Sequence, residues 1–525
     1  MRNIRDHNTG ELFNRWEHLG RNRVKRLQGS WAAVFRTHVL PRLPVEQLSE
    51  KFDPVMGRPT VDLPVVLGAI ILQQMFNLTD EETVDSIAFN ITWHYALDIR
   101  SDADFEITDR TLRNYRRLVI ESGLDEAMFR DITDKLISAL GLDTSKQRMD
   151  STAFPSAMRE LTRLGTFVET IDKFLRELRR RAPTEFERVD PEVVRKYVER
   201  AGDGCFGVRP METLKRLPEA AEMLRELLAM FRGTSADGMV SFGLMQRVFD
   251  EQCEVAEDGS LRIKPPDEVS CNCMNNPSDP DSTYNGYKGQ GYTLQLMETY
   301  TEDVPDEKMA PDIITYVNVN KMTEPDWKAL KPALDEVEKY GVKPETVVAD
   351  TAYGTIENRD DASSRGVEIV APSQPPKNYK SGKLSLEHFE LDVNGIVVKC
   401  PAGNAPKTAK ATGKQIDARF ERSMCAACEL RDRCPCGMQV AKGRKPRLQY
   451  RRSRVERRKR LFYEKTCEFR DKYRWRAGIE ATFSRLKNWL KLGNLRVRGR
   501  PAVTLAIRFK ALGLNILRCV DYLTI

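Results

Sequence analysis

Val347-Val348-Ala349-Asp350-Thr351-Ala352-Tyr353-Gly354 opens with an unbroken apolar run and then meets an acid. Such a run is what a parallel strand covered on both faces requires. Open α/β sheets form their ligand crevices at the C-terminal ends of their strands, so Asp350 stands where chemistry is expected. Upstream, Tyr292, Leu294 and Leu296 alternate with polar residues, and residues 313–319 form a β-branched run. Trp327, Leu330, Leu334 and Val337 then share a helical face that ends at Gly341. Downstream, residues 367–371 read as another short strand. Further upstream, Arg148-Met149-Asp150-Ser151-Thr152-Ala153-Phe154 is strand-like with an acid in its middle. The order β, β, β, α, β, α, β, followed by one long helix expected over about 461–490, predicts an α/β layer covered by helices.

The flanking regions read differently. Residues 1 to about 140 are helical in pattern: Val65, Leu67, Ile70, Ile71 and Phe76 begin a buried helix, and Thr79 with Glu82 forms a capping-box pair. A further helix is expected from about Thr108 to Ser122, with Leu112, Tyr115 and Val119 inward and Arg110, Arg113, Arg116 and Arg117 outside. Short helices followed by an Arg-rich one fit a helix-turn-helix module. Residues 157–235 read as a charged helical insertion with Leu161, Leu164, Phe167, Ile171 and Phe174 in one stripe, and residues 254–287, rich in Asn, Pro, Asp and Gly, as loop.

Composition narrows the function. The chain has 525 residues, which at roughly 150 residues per domain suggests three or four compact units. Hydrophobic residues make up 41% and charged residues 31%, a balance that excludes a disordered or fibrous chain. The longest apolar run, residues 65–72, is far below the ~20 residues that span a bilayer. The first twenty residues lack the apolar stretch of a secretory signal. Eleven unevenly spaced cysteines do not make a disulfide framework. A soluble protein in a reducing, cytoplasmic compartment is therefore expected. The five histidines are scattered, which argues against a His-built metal centre or a Ser-His dyad. The net charge of +7 is unevenly spread: residues 442–500 hold 22 Lys and Arg against five acidic residues, a balance of +17 that leaves −10 for the rest. Such asymmetry marks a partner dense in negative charge, most simply nucleic acid.

Three carboxylates stand out: Asp150 within a strand, Asp350 at a strand end, and Glu480 in almost wholly basic surroundings. A carboxylate at a strand end is costly to desolvate without a cation. A pair of magnesium ions held by three acids would supply one and would perform phosphoryl transfer by clamping the attacking and leaving oxygens. On one continuous helix, Tyr473, Arg476, Glu480 and Lys487 would fall at about 0°, −60°, −20° and −40°, within a single stripe. An aromatic hydroxyl, a guanidinium, a carboxylate and an ammonium make poor core. Together they suit an acid that holds metal beside cations that grip phosphate oxygens.

Tyr473-x2-Arg476-x3-Glu480-x6-Lys487 resembles the Y-x2-R-x3-E-x6-K signature of the DDE transposases encoded by bacterial insertion sequences. Asp150-Ser151-Thr152 is similar to the motif around that family's first catalytic acid, and residues 348–354 to the motif around its second. The likeness extends to the helical N-terminal region and to the loop Asn276-Pro277-Ser278-Asp279-Pro280-Asp281. It implies an α/β fold: a ribonuclease H-like catalytic core over 141–375 and 450–500, with a helical, helix-turn-helix-like N-terminal domain over 1–140, insertions, and a C-terminal helix over 501–525. It implies cleavage of insertion-sequence ends and strand transfer, with two Mg²⁺ or Mn²⁺ ions on Asp150, Asp350 and Glu480. Tyr473, Arg476 and Lys487 would contact the transposon-end DNA. The partners implied are double-stranded DNA, both transposon ends and target, and a second copy in a homodimer; the setting is the bacterial nucleoid. A catalytically inactive DNA-binding derivative should have lost one acid, and none is missing. A metal-dependent nuclease that cuts without joining is the other alternative.

Between the second and third acids lies an insertion over 376–449, which in some relatives is a β-rich DNA-contacting unit. It holds Cys400, Cys425, Cys428, Cys434 and Cys436. A CxxC pair with two further thiolates suffices for a closed tetrahedral zinc site. The set would be Cys400, Cys425, Cys428 and Cys434, with Cys436 as spare. Reduced thiols in a small satellite core are the alternative.

Overall fold

The computed structural model describes residues 1–5, 7, 16–99, 107–199, 210–302, 309–373 and 382–524. The chain divides into two compact units, Met1–Pro344 with Gly478–Ile525, and Glu345–Ala477.

The first unit opens with helices. α1 (Leu63–Phe76) is buried along almost its whole length, as its continuous apolar sequence requires. Asn77 ends it in a left-handed conformation. α2 (Asp80–Phe89) begins with the expected capping box of Thr79 and Glu82. α3 (Asp109–Glu121) buries Leu112, Tyr115 and Val119, as its spacing predicts. Of its four arginines, Arg116 turns back into the domain and binds Asp80 at 2.7 Å, while Arg113 pairs with Asp109 one turn earlier on the exposed side of α3 itself. α4 (Leu124–Leu140) follows. Among the described residues no single helix is long and apolar enough to cross a membrane.

β1 (Lys146–Pro155) then enters the sheet. The insertion after it is longer than its sequence suggests. Helices α5 (Arg163–Arg181), α6 (Pro210–Phe231) and α7 (Val240–Gln252) pack around their own core of Phe167, Ile171, Phe174, Leu224, Phe231 and Phe242. Part of the stretch expected as loop is instead a hairpin, β2 (Cys253–Val255) with β3 (Leu261–Ile263). It forms because Ala256-Glu257-Asp258-Gly259 supplies a turn, with Gly259 at φ 79°. The chain returns through β4 (Thr283–Asn285), β5 (Gly289–Thr299) and β6 (Ile314–Lys321). β5 pairs antiparallel with β1 on one side and with β4 and β6 on the other. The polar residues that alternate along β5, including Thr293 and Gln295, are buried like the apolar ones. The sheet is therefore covered on both faces here. α8 (Leu330–Lys339) buries Leu330, Leu334 and Val337.

The second unit contains β7 (Thr346–Ala349), α9 (Ile356–Ser364) and β8 (Glu368–Val370), with β8 parallel to β7 as a right-handed crossover would place it. The insertion that follows is β-rich. β9 (Glu390–Leu391) pairs with β10 (Val397–Lys399), and β11 (Thr408–Thr412), β12 (Gln415–Arg419) and β13 (Arg447–Arg451) form a separate sheet. Leu386, Phe389, Ile416, Leu448, Tyr450 and Val455 fill its core, together with Cys434 and Cys436. α10 (Arg452–Tyr463) and α11 (Cys467–Tyr473) close the unit.

The chain re-enters the first unit as α12 (Gly478–Asn488) and α13 (Arg500–Leu523). α13 packs on α1, α4 and β6. Asn515, fully buried, accepts from the Ile314 N–H at 2.8 Å and donates to its carbonyl at 2.9 Å, so it satisfies backbone groups of β6 that no strand covers. The buried Lys510 ammonium donates to the Gln74 carbonyl and the Asn77 side chain, each at 3.0 Å, and to the Leu490 carbonyl. It thereby ties the C-terminal ends of α1 and α12 together, with its charge placed at the negative end of each helix.

Candidate active site

Asp150, Glu480 and Lys487 lie in the first unit. Asp150 occupies the middle of β1, opposite Leu296 of β5, and is 8% exposed. Its Oδ1 accepts the Ser151 N–H at 2.8 Å. Glu480 is exposed in the first turn of α12, where a carboxylate is favoured by the helix dipole. α12 packs on β1 through a face of Ile479, Thr482, Phe483 and Leu486. Lys487 is exposed two turns beyond Glu480 and on the same side of the helix.

Beside Asp150 is a buried polar network that the sequence does not announce. Glu298 on β5 is completely buried. It accepts from Arg148 Nε at 2.8 Å, from the Thr482 hydroxyl at 2.7 Å and from Arg518 at 2.9 Å. Arg148 also reaches Asp312 at 2.6 Å, and Arg518 donates to Thr482. Burial, followed by the neighbouring Glu298 charge, raises the Asp312 carboxyl above its ordinary range despite the two arginines. Glu298 could have been suspected only as a charged residue inside an alternating strand.

Asp350, Tyr473 and Arg476 lie in the second unit. Asp350 follows β7 directly, as its sequence predicts, and its Oδ1 accepts the Ala352 N–H at 2.7 Å. The Tyr353 N–H closes a turn on the Asp350 carbonyl at 3.2 Å. Tyr353 is fully buried, and Asn358 donates to its carbonyl at 3.0 Å. At Gly354 a Cβ would stand 2.8 Å from the Pro372 carbonyl oxygen, so only glycine fits. The residues after the acid thus pin its loop from both ends. Tyr473 stacks on Phe469 with ring centroids 5.5 Å apart.

The single helix expected over about 461–490 is broken. α11 ends at Tyr473, a 3-10 turn spans Arg474–Ala477, and α12 starts at Gly478. A side chain at 478 would meet the Arg148 guanidinium, whose Nη1 stands 2.1 Å from the position of a Cβ. Glu480 and Lys487 keep their common face. Tyr473 and Arg476 do not continue it on the same helix.

In the second unit Cys400, Cys425, Cys428, Cys434 and Cys436 all line one cavity of about 20 Å³. A hydrogen bond from Cys436, acting against burial, lowers the Cys434 thiol to about 6, while burial and the neighbouring thiols raise Cys425 to about 11. Among the described residues no three His, Cys, Asp or Glu side chains stand close enough together to hold a metal ion.

Residues 399–520 match a family model described as a transposase DDE domain, and residues 30–118 one described as a transposase domain (DUF772). The first match includes Tyr473, Arg476, Glu480 and Lys487, and the second covers α1, α2 and most of α3. Asp150 and Asp350 lie outside both. No curated protein and no solved structure matches the chain. The two matches support a DDE transposase of the insertion-sequence type.

Proposed function

From a chain that carries transposase domains at both of its matches, we infer an enzyme that cleaves the DNA ends of its own insertion sequence and joins their 3′-hydroxyls to target DNA. Asp150, Asp350 and Glu480 would be its metal-holding carboxylates, although among the described residues no three such side chains stand at ligand distance from one another without the ion. The placement of Glu480 carries the inference: the one exposed acid in the first turn of α12, with Lys487 on its side of the helix, falls inside the matched DDE domain. Asp350 supports it, because it stands just past the C-terminal end of β7, where open α/β layers form their ligand crevices, and Asp150 adds an acid in the middle of β1. Three antiparallel strands, a helix and then a parallel pair are the elements of a ribonuclease H-like core in chain order.

The donors are all carboxylate oxygens, the hard ligands that suit Mg²⁺ or Mn²⁺. When bound, such ions stabilise charge developing on the scissile phosphate. The chain's own cations do the positioning. Arg476 and Lys487 grip phosphate oxygens and Tyr473 contacts the DNA end, so that water, and later the 3′-hydroxyl, attacks in line. No covalent protein–DNA intermediate is needed. The protein acts as a homodimer on DNA, and α3 of the helical N-terminal domain offers Arg110 and Arg117 to the duplex.

The purified chain, incubated in Mg²⁺ with the DNA flanking its reading frame, should cut at the element ends and give joined products. A pre-cut end supplied with target DNA should be joined, which a simple nuclease would not do. Absence of cleavage in both Mg²⁺ and Mn²⁺ would overturn the assignment.

Cys400, Cys425, Cys428 and Cys434 brace the β-rich insertion around a structural zinc. They do not stand at ligand distance from one another, but all four line one cavity of about 20 Å³, and four thiolates are a ligand set that structural zinc takes. The purified protein should contain about one zinc equivalent, and Cys425→Ser should lower both zinc content and melting temperature. Folded, active protein without zinc would contradict this.

A further inference from the structure

The geometry points to Glu298 and Thr482 as positioning residues that set the direction of Glu480 relative to Asp150; the role rests on the transposase reading of those two acids. Asp150 and Glu480 are on different elements, and a metal-holding pair must be held to within about 0.5 Å of its working geometry. Hydrophobic packing of α12 on β1 does not fix a rotation or a slide to that tolerance, whereas directional hydrogen bonds do.

The bonds required are present. Arg148 precedes Asp150 by two residues on β1, so the two side chains leave the same face of the strand about 6.6 Å apart along it. Thr482 follows Glu480 by two residues on α12 and faces the sheet, fully buried. Glu298, directly opposite Arg148 in the β1–β5 register, receives both: Arg148 Nε at 2.8 Å and the Thr482 hydroxyl at 2.7 Å. Arg518 of α13 donates to Glu298 and to the Thr482 oxygen. The hydroxyl therefore accepts from a group that can only donate and donates to a carboxylate that can only accept, so its orientation is fixed.

Gly478 completes the device. The first turn of α12 rests against the Arg148 guanidinium, where a Cβ would come within 2.1 Å of Nη1. The helix is thus docked at its start on Arg148 and one turn later on Glu298, and Glu480 lies between the two anchor points. None of the four groups faces the reacting phosphate in this role; they act through the two acids.

The test uses the full-length chain with the flanking-end DNA and reads single-turnover cleavage at saturating DNA, the Mg²⁺ concentration for half-maximal rate, DNA affinity and melting temperature. Thr482→Val removes one hydroxyl at nearly constant volume. It should slow cleavage about tenfold or more and raise the Mg²⁺ midpoint several-fold, with DNA affinity within about twofold of the parent. Thr482→Ser restores the hydroxyl and should recover both rate and midpoint to within about threefold. Glu298→Gln should behave like Thr482→Val. Cleavage and Mg²⁺ midpoint unchanged in Thr482→Val, or a rate that falls only with melting temperature while the midpoint stays fixed, would overturn the positioning role while leaving the transposase assignment intact. A parent chain that cleaves no DNA in either metal would overturn both.

Discussion

His7 shows how far single residues can shape stability away from the candidate site. Its ring bridges two buried carboxylates, Asp62 at 2.9 Å and Asp98 at 3.0 Å, and Arg36 braces Asp98 at 2.6 Å. Burial alone would lower its pKa, but the hydrogen bonds and charges of the two acids outweigh that and raise it to about 9 from 6.5. A raised pKa means that the folded state holds the proton more tightly. The stabilisation is complete below pH 6.5 and is lost as pH rises through 9, with a magnitude on the order of 3 kcal/mol. His7→Gln should therefore melt well below the parent at pH 6, and the gap should narrow by pH 9.5. Thermal melts across that range check this; a gap independent of pH would refute it. Nothing in the sequence isolates His7, because both of its partners are more than fifty positions away.

At the scale of elements, local signals were legible and long-range ones were not. The capping box at Thr79, the inward triad of α3, the apolar β7 and the acid after it follow from spacing within ten residues, and the structure has them. The break before α12 is different. Arg474-Trp475-Arg476-Ala477 reads as helix but forms a 3-10 turn, and the need for glycine just after it comes from Arg148, more than three hundred positions earlier, lying where a side chain at 478 would be. The burial of both faces of β5 likewise depends on partners from other segments, whereas the β2–β3 hairpin is a local pairing hidden in a stretch rich in turn-forming residues. For the candidate site, the acids and cations were legible as residue types at fixed spacing, while Glu298, Thr482 and Arg518 were not, since each looks ordinary until its partners are known. Gly478→Ala should drive a methyl group into the Arg148 guanidinium. Overpacking of this kind costs roughly 1–3 kcal/mol, and the displaced helix start should slow cleavage more than it weakens DNA binding. A variant with unchanged melting temperature and cleavage would show that the helix start accommodates the methyl group freely.

For the whole molecule the charge map is the dominant property. Residues 442–500 carry a balance of +17, but the structure divides their work. Arg458 and Arg460 donate to the carbonyls of Phe389 and Ile369 at 2.8 and 3.0 Å, so they hold α10 in place. Arg452, Arg454 and Lys459 remain exposed along the same helix. Binding to duplex DNA should weaken steeply with salt, each neutralised phosphate adding about −0.9 to the log–log slope. Arg476→Ala and Lys487→Ala should each reduce that slope by roughly one unit and also slow cleavage at saturating DNA. Arg457→Ala should change affinity alone. Salt titrations paired with single-turnover cleavage distinguish them; Arg476→Ala behaving like Arg457→Ala in both assays would reduce Arg476 to part of a general basic surface.

The carboxylates are the centre of the account, and the most direct measurement compares cleavage with binding in Asp150→Ala, Asp350→Ala and Glu480→Ala. Each variant, given flanking-end DNA and Mg²⁺, should lose cleavage entirely while binding that DNA with nearly the parent's affinity, because the acids hold metal rather than phosphate. Near-parental cleavage by any one of the three would contradict the assignment of that residue and, with it, the three-carboxylate site.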